Sequence, residues 1–299
     1  YIMNVKVFKN KFNKCIELDH KLSKFTWFGV GGNAEILFIP ENEKRLVFFL
    51  KNKPPEYKVL AIGAGSNLII RDKGINGIVL VTKKLKKISI DNNGVISAQA
   101  GATDAEVARF ARDCERTGLE FLLGIPGTIG GGIKMNSGAF GSEFKDILID
   151  VTAINLSGEF RVFSLKELGM EYRKIGISNE WIFCTARFKS TSDNKQNIEA
   201  KMKKILHLRK TAQPSGVKTG GSTFKNPIGH KAWKLIDQAG CRGLKIGDAM
   251  ISNKHCNFII NLKNSSAQQI EELGEKVQSK VFQTSGIRLS WEIQRVGIK

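Results

Sequence analysis

The stretch Thr219 to Pro227, TGGSTFKNP, sets one hydroxyl, that of Ser222, directly behind two glycines and ahead of an aromatic, a lysine and an Asn-Pro turn. Glycines let a backbone approach a bound molecule closely, so the hydroxyl could act on one. Equally, Gly-Gly and Asn-Pro are ordinary turn punctuation, and a serine there could simply end a loop. Two glycine-rich stretches widen the first possibility. In AIGAGSNLIIRDKGINGIV, Ala61 to Val79, Gly63 and Gly65 follow an apolar run, and Gly-x-Gly-Ser-Asn offers successive N–H groups and a hydroxyl of the kind that cradles a phosphate. The Rossmann fingerprint does not fit, because Leu68 stands where a third glycine belongs and a strand-like run follows instead of a helix. The second stretch, LLGIPGTIGGGIKMNSGAFG, Leu122 to Gly141, holds seven glycines. They would permit close approach and positive φ angles, at an entropic cost that an idle loop rarely carries. Together the two loops suggest a dinucleotide cradle outside the Rossmann fold, with tight sheet packing as the alternative.

The elements that must position these loops alternate between short strands and helices, without internal repeats or a low-complexity linker. Thr103-x-x-Glu106 reads as a capping box ahead of a helical stripe of Val107, Phe110, Ala111 and Cys114, and Ser266 as the cap of a helix whose Ile270, Leu273, Val277 and Val281 face a core. Strand-like runs are expected at 77–82, 95–100, 150–155, 181–188 and 257–262, several of them joined by loops instead of crossover helices, which is an α+β pattern. The lysine-rich helix 197–210 is the expected join between a first unit and a C-terminal one.

Composition narrows the class. With 41% hydrophobic and 25% charged residues, the 299-residue chain can build a substantial core in two or three domains. No apolar run approaches the roughly 20 residues that a membrane span needs, and the opening YIMNVKVFKNKFNK carries no signal-peptide core. Five scattered cysteines without a C-x-x-C pair suggest neither disulfides nor zinc, and four histidines without H-x-x-x-H spacing give metal chemistry little support, so a reducing cytoplasm is expected. The net charge of +19 would suit a polyanion such as nucleic acid, but the lysines are spread along the whole chain without a basic tail, and solvated lysine-rich faces account for it equally well.

At this point the residues resemble a known family. The stretches TWFGVGGNAE (26–35), GAGSNLIIRDKGINGIV (63–79), GIPGTIGGGIKMNSGAFG (124–141), EYRKIG (171–176), GSTFKNP (221–227), AGCRGLKIGDAMISNKHCNFIIN (239–261) and IRLSWEIQRVG (287–297) are similar, in order and spacing, to the UDP-N-acetylenolpyruvoylglucosamine reductases, MurB. The short interval between Arg173 and Ser222 resembles the shorter, second type of that family. The resemblance implies an FAD-binding domain of the vanillyl-alcohol-oxidase/p-cresol-methylhydroxylase type, made of two α+β subdomains, then a C-terminal α+β substrate domain. The corresponding ranges are an N-terminal segment 1–23, an FAD-binding domain 24–190 split near 85, and a substrate-binding domain 191–299.

It also implies an NADPH-dependent oxidoreductase of peptidoglycan synthesis, reducing UDP-N-acetylglucosamine enolpyruvate to UDP-N-acetylmuramate, with no nucleic-acid or membrane partner. No histidine or cysteine lies in either glycine loop, so the FAD should be non-covalent. By resemblance it is contacted by Gly63, Ala64, Gly65, Ser66, Asn67 and Leu68. A second set comprises Gly124, Ile125, Pro126, Gly127, Thr128, Gly130, Gly131, Asn136, Gly138 and Ala139, with Arg209 near the cofactor.

The resemblance gives the remaining roles. Ser222 matches the family's proton donor. Arg173 matches the arginine that faces the substrate carboxylate, a task suited to a planar, permanently charged fork, although alone it would read as a surface ion-pair partner. Glu292 matches a catalytic glutamate; beside a substrate carboxylate it is expected to carry its proton and donate a hydrogen bond, and SWE stands where many relatives have EPE. Asn226 matches a substrate contact and could equally initiate the Asn-Pro turn. Tyr172 reads as packing, and Lys254 and His255 as strand-edge residues or, equally, ligand contacts outside the catalytic set. Two competing readings are a flavin oxidase on the same fold, which would need neither Ser222 nor Glu292, and a basic nucleic-acid binder, which rests on charge alone.

Overall fold

The computed structural model describes Phe12 and residues 15–299. The N-terminal stretch Tyr1 to Lys14, read above for a signal peptide, lies outside them but for Phe12. By packing, the described residues divide into two units, each discontinuous in sequence where contiguous ranges were expected: the first comprises Phe12 with 15–18, 36–64 and 77–209, the second 19–35, 65–76 and 210–299.

The first unit carries two larger sheets, two short two-stranded pairings and two hydrophobic cores. One sheet has the order β1-β2-β5-β3, from β1 (Ile16–Lys21), β2 (Asn33–Phe38), β3 (Val59–Ile62) and β5 (Ile75–Val81), and the unit boundaries fall within β1, β2 and β5. Its β3 and β5 run parallel, Val59 opposite Ile78 and Ile62 opposite Val81, and helix α1 (Glu43–Asn52) lays Leu46, Phe49 and Leu50 into the core beside it. There Phe38 and Phe49 stack with centroids 3.7 Å apart.

The second sheet has the order β9-β8-β10-β7-β6, formed by β6 (Ile88–Ile90), β7 (Ile96–Gln99), β8 (Leu148–Ile154), β9 (Phe160–Ser164) and β10 (Ile182–Phe188). Its described pairings are antiparallel, and a separate core gathers Val107, Leu122, Ile133, Phe144 and Phe188. Helix α2 (Asp104–Asp113) begins at the expected capping box: the Thr103 hydroxyl accepts from Glu106 N at 3.1 Å and the Glu106 carboxylate from Thr103 N at 2.8 Å. Val107 and Ala111 are buried, with Phe110 packed at the core edge. Along α4 (Lys195–Ala212) only Ile198 and Met202 are buried, so its lysines are solvated.

The second unit is organised by one sheet, order β11-β14-β13-β12, from β11 (Lys218–Ser222), β12 (Lys245–Ile246), β13 (Ala249–Ile251) and β14 (Phe258–Asn261). Helix α6 (Ala267–Ser285) covers it, capped by Ser266 and closed by Gly286 at φ +71°. Its Ile270, Leu273, Val277 and Val281 are fully buried, each worth roughly 1.5–3 kcal/mol of transfer from water.

Segment 65–76 belongs to this unit for identifiable reasons. Strand β4 (Leu68–Ile70) pairs in parallel with β15 (Gln294–Val296), and Ile69 is buried in the unit's core. Arg71 reaches Glu271 at 2.9 Å, and the Asp72 carboxylate accepts from Ala267 N and Gln268 N at the start of α6, at 2.9 and 3.0 Å. An acidic side chain on those unsatisfied N–H groups also meets the positive end of the helix dipole.

Candidate active site

The first unit holds Gly63, Ala64, the second glycine loop, Arg173 and Arg209. An ideal Cβ on Gly63 would lie 2.1 Å from the Thr128 hydroxyl oxygen, so only glycine lets the two glycine loops meet there. That hydroxyl is buried and has no hydrogen-bond partner. The loop itself differs from expectation. Residues Ile129–Lys134 form a short helix, α3, and of the seven glycines between Leu122 and Gly141 only Gly141 has positive φ; Asn136 (φ +38°) and Phe140 (φ +55°) take that conformation instead.

Several of these glycines serve packing: a Cβ on Gly132 would meet the Phe144 ring at 2.3 Å, one on Gly124 the Phe140 ring at 2.5 Å, and one on Gly130 the Ala100 Cβ at 3.0 Å. Gly131 is different, being exposed with nothing nearer than 3.7 Å. It suits close approach of a ligand. Ile125, Pro126, Gly127, Gly138 and Ala139 are half-buried along the same loop.

Asn136 is 0% exposed, and its side chain is spent internally, donating to Glu143 at 2.8 Å and Glu171 O at 3.1 Å and accepting from Lys145 N at 3.0 Å. It shapes the loop from within, leaving its backbone as the part that could meet a cofactor. The shaping reaches Arg173, whose guanidinium donates to Asn136 O at 3.3 Å and Gly138 O at 3.4 Å. Arg173 has φ +54°, a costly backbone conformation for a non-glycine residue and one that gathers at functional sites. Tyr172 is half exposed under the Arg173 guanidinium, 5.0 Å from ring centroid to charge, instead of packing into a core.

The second unit holds Gly65 to Leu68, Ser222, Asn226 and Glu292. A Cβ on Gly65 would lie 1.8 Å from Phe25 O, and Gly65 has φ +65°. Ser222 ends β11 beyond a register shift: Thr219 pairs with Ile260 and Ser222 with Phe258, so Gly220 and Gly221 form a bulge, Gly221 at φ +78°. A bulge breaks the ladder and re-aims the side chain that follows it. Gly220 has no room for a Cβ, which would meet the Phe28 ring at 2.4 Å.

Immediately beyond, Thr223 O accepts from Glu292 N at 2.9 Å, Ser290 O from Lys225 N at 2.9 Å, and the Phe224 and Trp291 rings lie 5.1 Å apart. Ser222 and Glu292, 70 positions apart in sequence by their numbers, therefore sit on adjoining stretches of one unit. Asn226 is exposed, and its Oδ1 accepts from Ala232 N at 2.9 Å at the start of α5 (Ala232–Gln238), so a turn-closing role is realised. The Lys254 ammonium donates to the Lys210 carbonyl at 2.5 Å, and burial lowers the His255 pKa.

Two residues escaped the reading of the sequence. Asn257, buried, donates to Phe224 O at 2.8 Å and accepts from Phe224 N at 3.0 Å, tethering the Ser222 segment like a neighbouring strand. It lay inside a quoted motif, and nothing in its type marked it. Lys134, at the end of α3, is half-buried and its pKa is lowered by that burial; no acidic partner compensates it among the described residues. The same holds for Arg209 on α4.

These features fit FAD. In the first unit Gly63 has no space for a side chain, the buried Thr128 hydroxyl lacks a partner, and Arg209 is a half-buried cation with no acidic partner among the described residues; in the second unit Gly65 likewise has no space. A diphosphate would meet such N–H groups and charge favourably.

Comparison with known proteins accords with this geometry. Residues 34–164 match the model of an FAD binding domain, and residues 213–296 that of the UDP-N-acetylenolpyruvoylglucosamine reductase C-terminal domain. A UDP-N-acetylenolpyruvoylglucosamine reductase of Paramagnetospirillum magneticum is 46% identical over 285 residues, 95% of this chain and 92% of the relative. One of Rickettsia bellii is 45% identical over 296 residues, 99% of this chain and 97% of the relative. The crystal structure of the UDP-N-acetylenolpyruvylglucosamine reductase (MurB) from Thermus caldophilus superimposes with a TM-score of 0.81 at 34% identity, covering 94% of this chain and 97% of that one.

Proposed function

The chain belongs to the UDP-N-acetylenolpyruvoylglucosamine reductase (MurB) family of FAD-containing oxidoreductases, and we propose that it reduces UDP-N-acetylglucosamine enolpyruvate to UDP-N-acetylmuramate with NADPH as the electron source. The observation that carries this reading is the backbone pairing of Thr223 with Glu292 beside the Gly220-Gly221 bulge, which brings the Ser222 and Glu292 segments together on one scaffold. We place this step in the cytoplasm, in peptidoglycan synthesis, in keeping with the five free cysteines; no helix among the described residues is long and apolar enough to cross a membrane.

The flavin, held by Gly63 to Leu68, the Thr128 loop and Arg209, would supply a hydride for the terminal carbon of the enolpyruvyl group. Addition there pushes an electron pair toward the carbon that bears the ether oxygen and onto the adjoining carboxylate. Arg173 holds that carboxylate. Its planar guanidinium suits paired donation to a carboxylate and is fixed by two backbone carbonyls, so it needs no reorganisation as charge accumulates. The Ser222 hydroxyl then gives its proton to the ether-bearing carbon. Serine is a weak acid, so the transfer depends on a strongly basic carbanion and on the bulge that holds the hydroxyl in line. Glu292, carrying a proton, donates a hydrogen bond to the developing enolate and avoids adding a second negative charge. Asn226, at the turn after Ser222, contacts the substrate.

The test is product analysis in heavy water. FAD-loaded protein, NADPH and UDP-N-acetylglucosamine enolpyruvate should yield UDP-N-acetylmuramate carrying solvent deuterium at the ether-bearing carbon. NADPH oxidation with hydrogen peroxide as the only product would identify an oxidase instead.

A further inference from the structure

We infer that Asn67 is a positioning residue for Glu292, and that its clamp makes FAD occupancy of the first glycine loop and the placement of the Glu292 carboxyl mutually dependent. This rests on the functional reading above. Asn67 Nδ2 donates to the Glu292 carbonyl at 3.3 Å, and the Asn67 carbonyl accepts from Gln294 N at 3.0 Å. One loop residue thus grips the backbone on both sides of Ile293. The grip continues as a ladder, with Gln294 opposite Leu68, Arg295 opposite Ile69 and Val296 opposite Ile70, and Arg71 N donates to Val296 O at 2.9 Å.

Glu292 is consequently held by its peptide groups from two directions. Its N–H donates to Thr223, the neighbour of Ser222, and its carbonyl accepts from Asn67, in the cofactor loop. No freely rotating segment separates the loop from the glutamate. A displacement of the loop must carry residues 292–294 with it, or break two hydrogen bonds in a half-buried setting. The segment is further pinned at its other end, where Asp72 caps α6 and Arg71 pairs with Glu271.

Any ligand that fixes the loop therefore narrows the positions open to Glu292. By linkage, whatever loosens residues 292–294 must weaken that ligand equally. The resemblance made Asn67 a cofactor contact; the geometry adds a second task, carried by the same carboxamide and by its own backbone carbonyl.

The experiment has an arm without substrate and an arm with it. Gln294→Pro removes the N–H that Asn67 O accepts while altering an exposed residue, and Gln294→Ala keeps that N–H. FAD titration of the apoprotein by flavin fluorescence should show affinity about tenfold weaker in Gln294→Pro and within about twofold of wild type in Gln294→Ala, as one lost hydrogen bond implies. Equal affinity in a folded Gln294→Pro protein overturns the inference.

Should that variant fail to fold, a mutant cycle decides. Asn67→Ala in FAD-saturated protein should slow flavin reoxidation by substrate about tenfold in the wild-type background and under about twofold in the Glu292→Gln background, because it acts through Glu292. Equal factors in both backgrounds overturn it. The titration needs no substrate, so a protein inert toward the assigned substrate would sink the functional reading and leave the clamp to be judged by affinity.

Discussion

Replacing Asn257 with alanine tests how the serine is held. Asn257 closes a two-bond ring with the backbone of Phe224, accepting from its N–H at 3.0 Å and donating to its carbonyl at 2.8 Å, and Phe224 is 1% exposed. Alanine removes both partners and leaves a buried donor and a buried acceptor unpaired, at about 1–3 kcal/mol each, or about 2–6 kcal/mol together. Against a total stability of roughly 5–15 kcal/mol that is a large loss. Urea unfolding with flavin bound should show a lower midpoint at nearly unchanged slope, since the surface exposed on unfolding barely changes. The backbone bond from Thr223 N to Asn257 O, 2.7 Å, survives, so the fold persists and Ser222 is the residue left loosely held. Asn257→Asp should fare no better, because it sets a second oxygen against the Phe224 carbonyl. A loss under about 1 kcal/mol in Asn257→Ala would mean that water replaces the side chain and that the tether is not what fixes the serine.

Further outcomes follow from the same coordinates. Burial raises the Asp104 pKa well above its ordinary value, so the folded state holds a proton that the unfolded chain releases; stability should fall as pH rises from about 4, the ordinary carboxyl value, through the folded pKa, and Asp104→Asn should remove that fall in pH-dependent urea titrations. Gly63→Ala sets a Cβ 2.1 Å from the Thr128 hydroxyl oxygen; FAD affinity should drop about 10- to 100-fold by fluorescence titration, from roughly 1–3 kcal/mol of overpacking, and recover in part with Thr128→Ala. Arg173→Lys keeps the charge but cannot reproduce the paired donation to Asn136 O and Gly138 O; substrate reoxidation should slow by about tenfold or more while NADPH reduction is spared.

Local elements were legible in the sequence because their signals are local. The capping boxes at Thr103 and Ser266 and the apolar stripe of α6 depend on residues within a few positions of each other, and each appears where its spacing predicts. Long-range pairing carries no such signal. Nothing in the periodicity of Leu68–Ile70 names Gln294–Val296 as its partner, and the Asn67 bond spans 225 residues, so the insertion of 65–76 into the second unit was invisible. The second glycine loop was misjudged in one respect because composition does not separate a glycine that takes positive φ from one that makes room for a ring. Gly132 against Phe144 is of the latter kind. Asp104 shows the same limit: an acid in the first turn of a helix reads as solvent-facing, whereas here it is fully buried with both carboxyl oxygens unpaired. Motif residues found by resemblance carried their positions but not their backbone, as the positive φ of Arg173 and the internal bonding of Asn136 illustrate.

The most direct test of the central claim is anaerobic stopped-flow absorbance of the flavin in wild type and Ser222→Ala, first on mixing with NADPH and then on mixing the reduced protein with UDP-N-acetylglucosamine enolpyruvate. If Ser222 is the proton donor, reduction is unchanged and reoxidation slows about 10²- to 10⁴-fold, the usual worth of a positioned acid. Equal losses in both half-reactions, or none in the second, would contradict it and return Ser222 to the role of a turn residue.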